Sequence, residues 1–202
     1  MQILLVAFLA VRVSAAESDL WLEEVEGKQA LAWVAERNTE SVSEFTADPR
    51  AKVLEGELKA IFAAKDRIPW PTLQGGRIFN FWQDEANVKG LWRRTSFEEY
   101  AKPAPSWETL LDIDRLSTDE GESWVYKGAD CQGPARRRCL VSLSRGGKDA
   151  VEIREFDTEA KAFVPSGFRL TEAKSDLAWH GDDSVLVGTD FGPCSTTDSG
   201  YP

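Results

Sequence analysis

The chain has 202 residues, a formal net charge of -10 and a hydrophobic content of 42% with eight tryptophans. Such an acidic chain repels the phosphates of nucleic acids and of anionic lipid headgroups, which disfavours both as partners. The apolar content is sufficient for a packed core in one or two domains.

The N-terminus has the pattern of an export signal. Residues 3–11 form a short apolar run, and Val13, Ser14 and Ala15 follow as a small-residue cleavage site. We therefore expect residues 1–16 to be a signal peptide and the chain to be periplasmic or secreted. If this run is not a signal, the chain is cytoplasmic. No later stretch of the sequence is apolar enough to predict an internal membrane span.

Residues 17–70 are predicted to form an N-terminal helical segment. Apolar residues recur at spacings of three and four along two consecutive helices, the first beginning at Glu26 or Lys28. Asp48 is placed to cap the second helix and Pro49 to occupy its first position. The second helix is expected to end before Pro69, since a residue that precedes proline is disfavoured in the helical conformation.

Residues 71–202 change to short aromatic and β-branched runs separated by turns, which predicts strands. Three units follow one another, at about 72–116, 122–165 and 168–202. In the first unit we expect strands at 78–82, 91–95 and 107–113, with Asp112 and Asp114 at the exit of the third. In the second unit, strands are expected at 124–126, 138–144, 150–156 and 162–164. Equivalent strands recur about every 45 residues, the size of a propeller blade.

Several short sequence segments of unusual composition resemble the N-terminal region of prolyl oligopeptidase-family serine peptidases. They are DLWLEEVEGKQALAWV, NFWQD, GLWRRTSFEEY, PSWETLLDID, GADC, RRCLVSLSRGG, REFD, GTDFGP and TDSGYP. The resemblance covers nearly the whole chain after residue 18. It implies a mainly β fold with an N-terminal α segment, in which about two and a half blades of a seven-bladed β-propeller form an open rather than closed array.

The resemblance also implies a function for a larger enzyme. That enzyme would hydrolyse short peptides after proline or a related residue, and the propeller would act as a size filter. The partners would be the peptide and a C-terminal hydrolase domain that we interpret as absent from this chain, so the chain alone is expected to be inactive. The alternative interpretation is a stand-alone, non-catalytic binding module with a partial propeller.

The residues offer little chemistry of their own. His180, the one histidine, lies in the turn sequence WHGDD beside Asp182 and Asp183, and the chain has no G-x-S-x-G nucleophile elbow. We therefore expect His180 to be a solvated turn residue and predict no catalytic residue. Neither the cysteines nor the aspartate pairs have the spacing of a zinc or calcium site, so we predict no metal and no cofactor.

The resemblance further implies a disulfide between Cys131 and Cys139, which stand at the positions of GADC and RRC in the family pattern. A pair of reduced cysteines in a cytosolic protein is the alternative. Cys194 is then the odd thiol, at a position where the family pattern predicts a small residue.

Arginines and tryptophans complete the set of candidate residues. The run 136–138 consists of three arginines, and we expect a solvated loop rather than a site for an acidic group. Arg93 and Arg94 should point to opposite faces of one strand. We attribute the strand tryptophans to packing between blades rather than to peptide binding; they are at positions 82, 92, 107, 124 and 179.

Overall fold

The computed structural model of the protein describes residues 19–24 and 26–202, so the predicted signal peptide at 1–16 lies outside the described residues. The chain divides into a helical unit that ends at Phe62 and a β-rich unit from Ala63 to Pro202. No helix in the described part of the chain is long and apolar enough to cross a membrane.

The helical unit contains two helices after a short 3₁₀ turn at Leu20–Glu23. Helix α1 spans Lys28–Ala47 and helix α2 spans Pro49–Phe62. The predicted start of α2 is confirmed, because the Asp48 carboxylate accepts a hydrogen bond of 2.9 Å from the Arg50 amide. Both apolar stripes are largely exposed to solvent, with Phe45 and Phe62 exposed by 73% and 71%.

The first sheet is a four-stranded antiparallel meander. Its strands are β1 (Thr72–Gln74), β2 (Arg77–Trp82), β3 (Leu91–Ser96) and β4 (Glu108–Asp112). The alternation of Phe79 and Phe81 with Asn80 and Trp82 gives β2 one apolar face and one mixed face. A short helix, α3 (Phe97–Tyr100), occupies part of the connection to β4, where the sequence analysis predicted no helix.

The chain leaves the sheet at Asp112, as expected, but a helix that the sequence analysis did not predict follows at once. Helix α4 (Ile113–Glu120) begins there, and the Asp112 carboxylate caps it by accepting a hydrogen bond of 2.9 Å from the Arg115 amide. Gly121 ends the helix in the left-handed conformation, at φ 67°. The third strand was expected to reach Ile113, but it ends at Asp112, and Ile113 is the first residue of the capped helix.

The second sheet follows α4 and has five strands. They are β5 (Trp124–Cys131), β6 (Arg138–Arg145), β7 (Val151–Asp157), β8 (Ala162–Phe163) and β9 (Arg169–Ala173). The first four follow in order, as predicted, and β9 also pairs with β7. We expected the third unit to begin at about 168, but β9 thus belongs to the second sheet. The third sheet is the hairpin of β10 (Asp176–His180) and β11 (Ser184–Gly188).

Two apolar clusters lie between the sheets. The first joins the first and second sheets, where Phe79 and Trp92 pack with Trp124, Val141 and Phe156. The second joins the second and third sheets, through Leu140, Val151 and Ile153 with Leu177 and Trp179 against them. Successive antiparallel sheets thus stack face to face, which is how the blades of a propeller pack.

Candidate functional site

His180 lies at the exposed end of β10, opposite Ser184 in the register of the third sheet. A histidine acts as a general base only when a nucleophile stands within hydrogen-bond reach of it. The sequence has no nucleophile elbow, and the described surroundings of His180 are a surface turn. The geometry therefore provides no catalytic triad at this position.

The aspartates considered for metal binding have structural roles. Asp112 caps α4, and the Asp114 carboxylate accepts hydrogen bonds of 3.0 Å and 3.2 Å from the amides of Lys89 and Gly90. Asp183 lies 3.2 Å from the guanidinium of Arg138. Within residues 19–24 and 26–202, no three side chains of the metal-ligating types are grouped closely enough to hold an ion.

Cys131 and Cys139 face each other at the end of the β5–β6 hairpin. Their sulfur atoms are 1.97 Å apart, their Cα atoms are 4.0 Å apart, and both residues are buried. The loop that they enclose contains a cis peptide bond between Gly133 and Pro134. Cys194, by contrast, is exposed, in a turn where its φ is 67°.

The three arginines at 136–138 are partly or largely exposed, and each is also bonded to a neighbouring group. Arg136 donates to the carbonyl oxygen of Cys131, and Arg137 contacts the Asp157 carboxylate at 2.8 Å. Arg138 pairs with Glu155 at 2.7 Å and also reaches Asp183 in the turn of the third sheet. The sequence suggested a charged loop because the carboxylate partners of Arg137 and Arg138 lie at least seventeen residues further along the chain.

The same hairpin end also binds the third sheet through neutral groups. The Gln132 side-chain amide donates to the carbonyl oxygens of Gly181 and Asp182, at 2.9 Å and 2.6 Å. The Trp179 indole donates to the Asp130 carbonyl oxygen at 3.0 Å. This cluster therefore fastens the second sheet to the third, which is a structural role rather than a catalytic one.

A buried ion-pair network, which sequence reasoning missed, lies in the second sheet around Glu152. One oxygen of Glu152 accepts from Arg154 at 2.7 Å and from Arg169 at 2.6 Å, and the other accepts from Arg145 at 2.8 Å. Burial raises the pKa of Glu152, but these arginine bonds outweigh it and lower the pKa overall. Arg145 and Arg154 also stack on Trp124, 4.6 Å and 4.9 Å from its ring centroid.

The strand arginines Arg93 and Arg94 have different environments, as the predicted alternation requires. Arg94 is buried and contacts Glu108 at 2.7 Å and Glu159 at 2.9 Å. Burial lowers its pKa, but the two carboxylates more than offset this and raise it. Arg93 instead lies between the rings of Trp82 and Trp107. Those two tryptophans thus pack on an arginine, whereas Trp92 and Trp124 pack between sheets as predicted.

A groove of about 680 Å³ opens between the first and second sheets beside β4 and α4. Its apolar wall includes Leu110, Leu111, Phe156 and Phe163. Its charged rim is paired internally, with Lys161 at 3.3 Å from Glu108 and Arg115 at 3.5 Å from Asp119. The groove can hold small apolar groups, and its lining residues include no serine, cysteine or histidine.

Comparison with known proteins decides the family of this chain. Residues 18–198 match the family described as the prolyl oligopeptidase N-terminal beta-propeller domain. The chain belongs to the prolyl oligopeptidase family. The three stacked sheets are accordingly blades of its propeller domain, and none of them closes on itself in the part of the chain that the structure describes.

Relatives of this prolyl oligopeptidase-family chain are much longer than it. An uncharacterized peptidase of Sinorhizobium fredii is 41% identical over 93% of the chain, which spans 26% of that relative. An uncharacterized peptidase of Rickettsia prowazekii is 35% identical over 90% of the chain, and the chain again spans 26% of that relative. The chain thus corresponds to about a quarter of the length of these relatives.

Solved structures of prolyl oligopeptidase-type enzymes have the same fold. A post-proline cleaving enzyme from Rickettsia typhi superimposes with a TM-score of 0.81 at 34% identity, over 92% of this chain and 28% of that one. A structure from a study of two prolyl endopeptidases gives a TM-score of 0.58 at 14% identity, over 79% of this chain and 22% of that one. The second likeness concerns the fold alone.

Proposed function

We propose that this chain is the propeller portion of an exported serine peptidase that hydrolyses short peptides after proline or a related residue. The observation that carries the proposal is the likeness to the post-proline cleaving enzyme from Rickettsia typhi, at 34% identity over 92% of this chain. The apolar run at residues 3–11 supports the export part of the proposal.

The proposal divides the work between two parts of the enzyme. The nucleophile, base and orienting acid come from a hydrolase domain outside these 202 residues, and the propeller limits access to short peptides. The described contacts are consistent with this division, because Asp112 caps a helix and Arg94 and Arg138 are held in ion pairs. A stack of blades around an entrance excludes folded proteins by size, since their chains cannot reach the reacting groups.

The first experiment assays the purified 202-residue chain with a chromogenic peptide that contains proline. We expect no hydrolysis, because the sequence has no nucleophile elbow. Saturable turnover that a serine-directed inhibitor abolishes would contradict the proposed division.

The second experiment asks whether the gene encodes the proposed hydrolase domain. Its sequence downstream of the Pro202 codon should encode a hydrolase domain with a nucleophile elbow, in the same frame or after a frameshift. The product that includes this domain should cleave a short proline peptide but leave the same sequence uncut inside a folded protein. A stop codon directly after Pro202 with no such domain downstream would support the stand-alone binding module instead.

A further inference from the structure

One short segment of the second sheet holds the β10–β11 hairpin by hydrogen bonds. This segment is the end of the β5–β6 hairpin, residues 130–139, which we call the hairpin end. The Gln132 side chain donates to two carbonyl oxygens in the β10–β11 turn, and the Trp179 indole donates to the Asp130 carbonyl oxygen. The Arg138 guanidinium reaches the same turn and lies 5.3 Å from the centroid of the Trp179 ring. In the described part of the chain, every hydrogen bond between the β10–β11 hairpin and the second sheet involves the hairpin end.

The pair of Cys131 and Cys139 closes the hairpin end. The two residues are direct partners in the ladder, and the Gln132 amide donates to the Arg138 carbonyl oxygen just beyond them, at 2.9 Å. The cysteines therefore occupy a non-hydrogen-bonded pair of positions, where two antiparallel strands bring opposite Cα atoms closest. Three of the residues that hold the β10–β11 hairpin, Asp130, Gln132 and Arg138, are each adjacent in sequence to one of these cysteines.

The loop between the two cysteines has little packing of its own. Residues 133–135 and Arg137 are exposed, so the cross-link supplies much of the order of the loop. A segment with few buried contacts opens locally at low cost, and the hairpin end should therefore move more once the cross-link is broken. Hydrogen bonds weaken steeply outside a narrow range of distance and angle. Added motion at Asp130 and Gln132 should therefore weaken the contacts that hold the β10–β11 hairpin.

We propose that the bond between Cys131 and Cys139 is a redox switch, which a dithiol opens in the folded chain and whose reduction releases the β10–β11 hairpin from the second sheet. Cys131 lines a cavity of about 230 Å³ between the first and second sheets, whereas Cys139 is fully buried, so Cys131 is the point of attack. A thiolate of the dithiol bonds to the Cys131 sulfur, and Cys139 leaves and takes up a proton. The second thiol of the reagent then displaces Cys131 in the same way, and the dithiol ends as a disulfide. The reverse reaction re-forms the bond, because the ladder keeps the two thiols opposite each other.

The proposal does not depend on the peptidase assignment, and the hydrogen bond from the Trp179 indole to the Asp130 carbonyl oxygen tests it. The indole N–H signals of the full 202-residue chain are followed by NMR before and after dithiothreitol is added without denaturant. Alkylation and mass spectrometry count the thiols. We expect the bond to be reduced and the Trp179 indole N–H to exchange with water about tenfold faster. The Trp124 indole, which donates to Glu120 at 2.9 Å at the opposite end of β5, should exchange at an unchanged rate.

Two variants locate the effect. Cys194→Ser removes only the exposed thiol and should respond to dithiothreitol as the wild type does. In the double variant Cys131→Ser and Cys139→Ser, the Trp179 indole should exchange fast with or without dithiothreitol. Circular dichroism checks that the double variant folds, and the comparison of oxidised and reduced wild-type chain stands whether or not it does. The proposal is overturned if the bond resists dithiothreitol without denaturant, if Trp179 does not respond to its reduction, or if Trp124 responds equally. A response that persists in the double variant, or that the disulfide form of dithiothreitol does not reverse, overturns it as well.

Discussion

The loop at residues 83–90 depends on two residues that act in different ways, Asp84 and Gly90. One Asp84 oxygen accepts hydrogen bonds of 3.0 Å and 2.9 Å from the amides of Ala86 and Asn87. The other accepts from the Trp82 indole at 2.8 Å, and this bond is the main cause that lowers the pKa of Asp84 to about 2. Gly90 closes the loop with φ at 104°, a conformation that suits glycine.

Asp84 should make the protein sensitive to acid. Its folded pKa lies below the unfolded value of roughly 3.9, so its contribution to stability is fully present above that value. The contribution is lost as the pH falls through about 2. Asp84→Asn cannot titrate, and its urea midpoint should therefore fall less than the wild-type midpoint between about pH 5 and pH 2. Parallel midpoint profiles for the two proteins would contradict this assignment.

Gly90→Ala should destabilise the first sheet by two mechanisms. The added Cβ would clash with the Phe81 ring and lie 2.9 Å from the Gln83 side chain. In addition, a residue with a Cβ is disfavoured at the backbone φ of 104° that Gly90 adopts. Gly76→Ala is the matched control, since its φ is 72° but nothing lies within 4 Å of the added atom. We expect urea unfolding to show a loss of about 1 kcal/mol for Gly76→Ala and roughly 2 to 4 kcal/mol for Gly90→Ala. Equal losses would show that the Phe81 contact relaxes without cost.

At the scale of elements, most strands could be predicted from the sequence because their aromatic and β-branched runs are bounded by turn residues. The strands β1 and β9 were missed, because TLQ and RLTEA contain no such run. Helix α4 was missed because its eight residues contain too few apolar positions to show a period, although Asp112 and Gly121 mark its ends. The start of α2 at Pro49 was predictable because its cap is local: Asp48 bonds Arg50, two residues away.

The ion pairs could not be predicted because their partners are distant in sequence. Arg138 contacts Glu155, and Arg154 contacts Glu120. Which carboxylate faces which arginine depends on strand register and on how sheets stack, and a single sequence shows neither. The alternation of side chains along a strand predicted that Arg93 and Arg94 lie on opposite faces. It could not predict that Arg93 lies between Trp82 and Trp107, because that also depends on strand register.

The disulfide between Cys131 and Cys139 is expected to stabilise the β5–β6 hairpin. In oxidised protein, peptide mapping under non-reducing conditions should recover the two cysteines linked, and free thiol at both positions would contradict the bridge. Replacement of both by serine should lower the free energy of unfolding by about 2.6 kcal/mol, the value of the chain-entropy model for so short a loop. Cys194→Ser is the control and should leave the free energy unchanged, because Cys194 is exposed and free.

At the scale of the whole molecule, both units present apolar surface to solvent. In the third sheet, Val185 packs towards the second sheet, while Leu186 on the opposite face is 62% exposed. Strand β11 pairs with β10 alone among the strands that the structure describes, so it is an edge. In the helical unit, Val42 on α1 is 59% exposed. Exposed edges and apolar faces are templates for association between chains.

We therefore expect the purified chain to associate, and to do so mainly through the free edge of β11. Size-exclusion chromatography with light scattering at micromolar concentration should show species larger than a monomer. Leu186→Lys should shift the distribution towards monomer, because a lysine on an edge strand must stay hydrated and so blocks pairing. Val42→Lys adds the same charge to an exposed position of the helical unit and should leave the distribution unchanged. The reverse result would assign the association to the helices. A compact wild-type monomer with one sharp thermal transition would mean that the partial propeller is self-sufficient, and the binding-module interpretation would then replace the peptidase one.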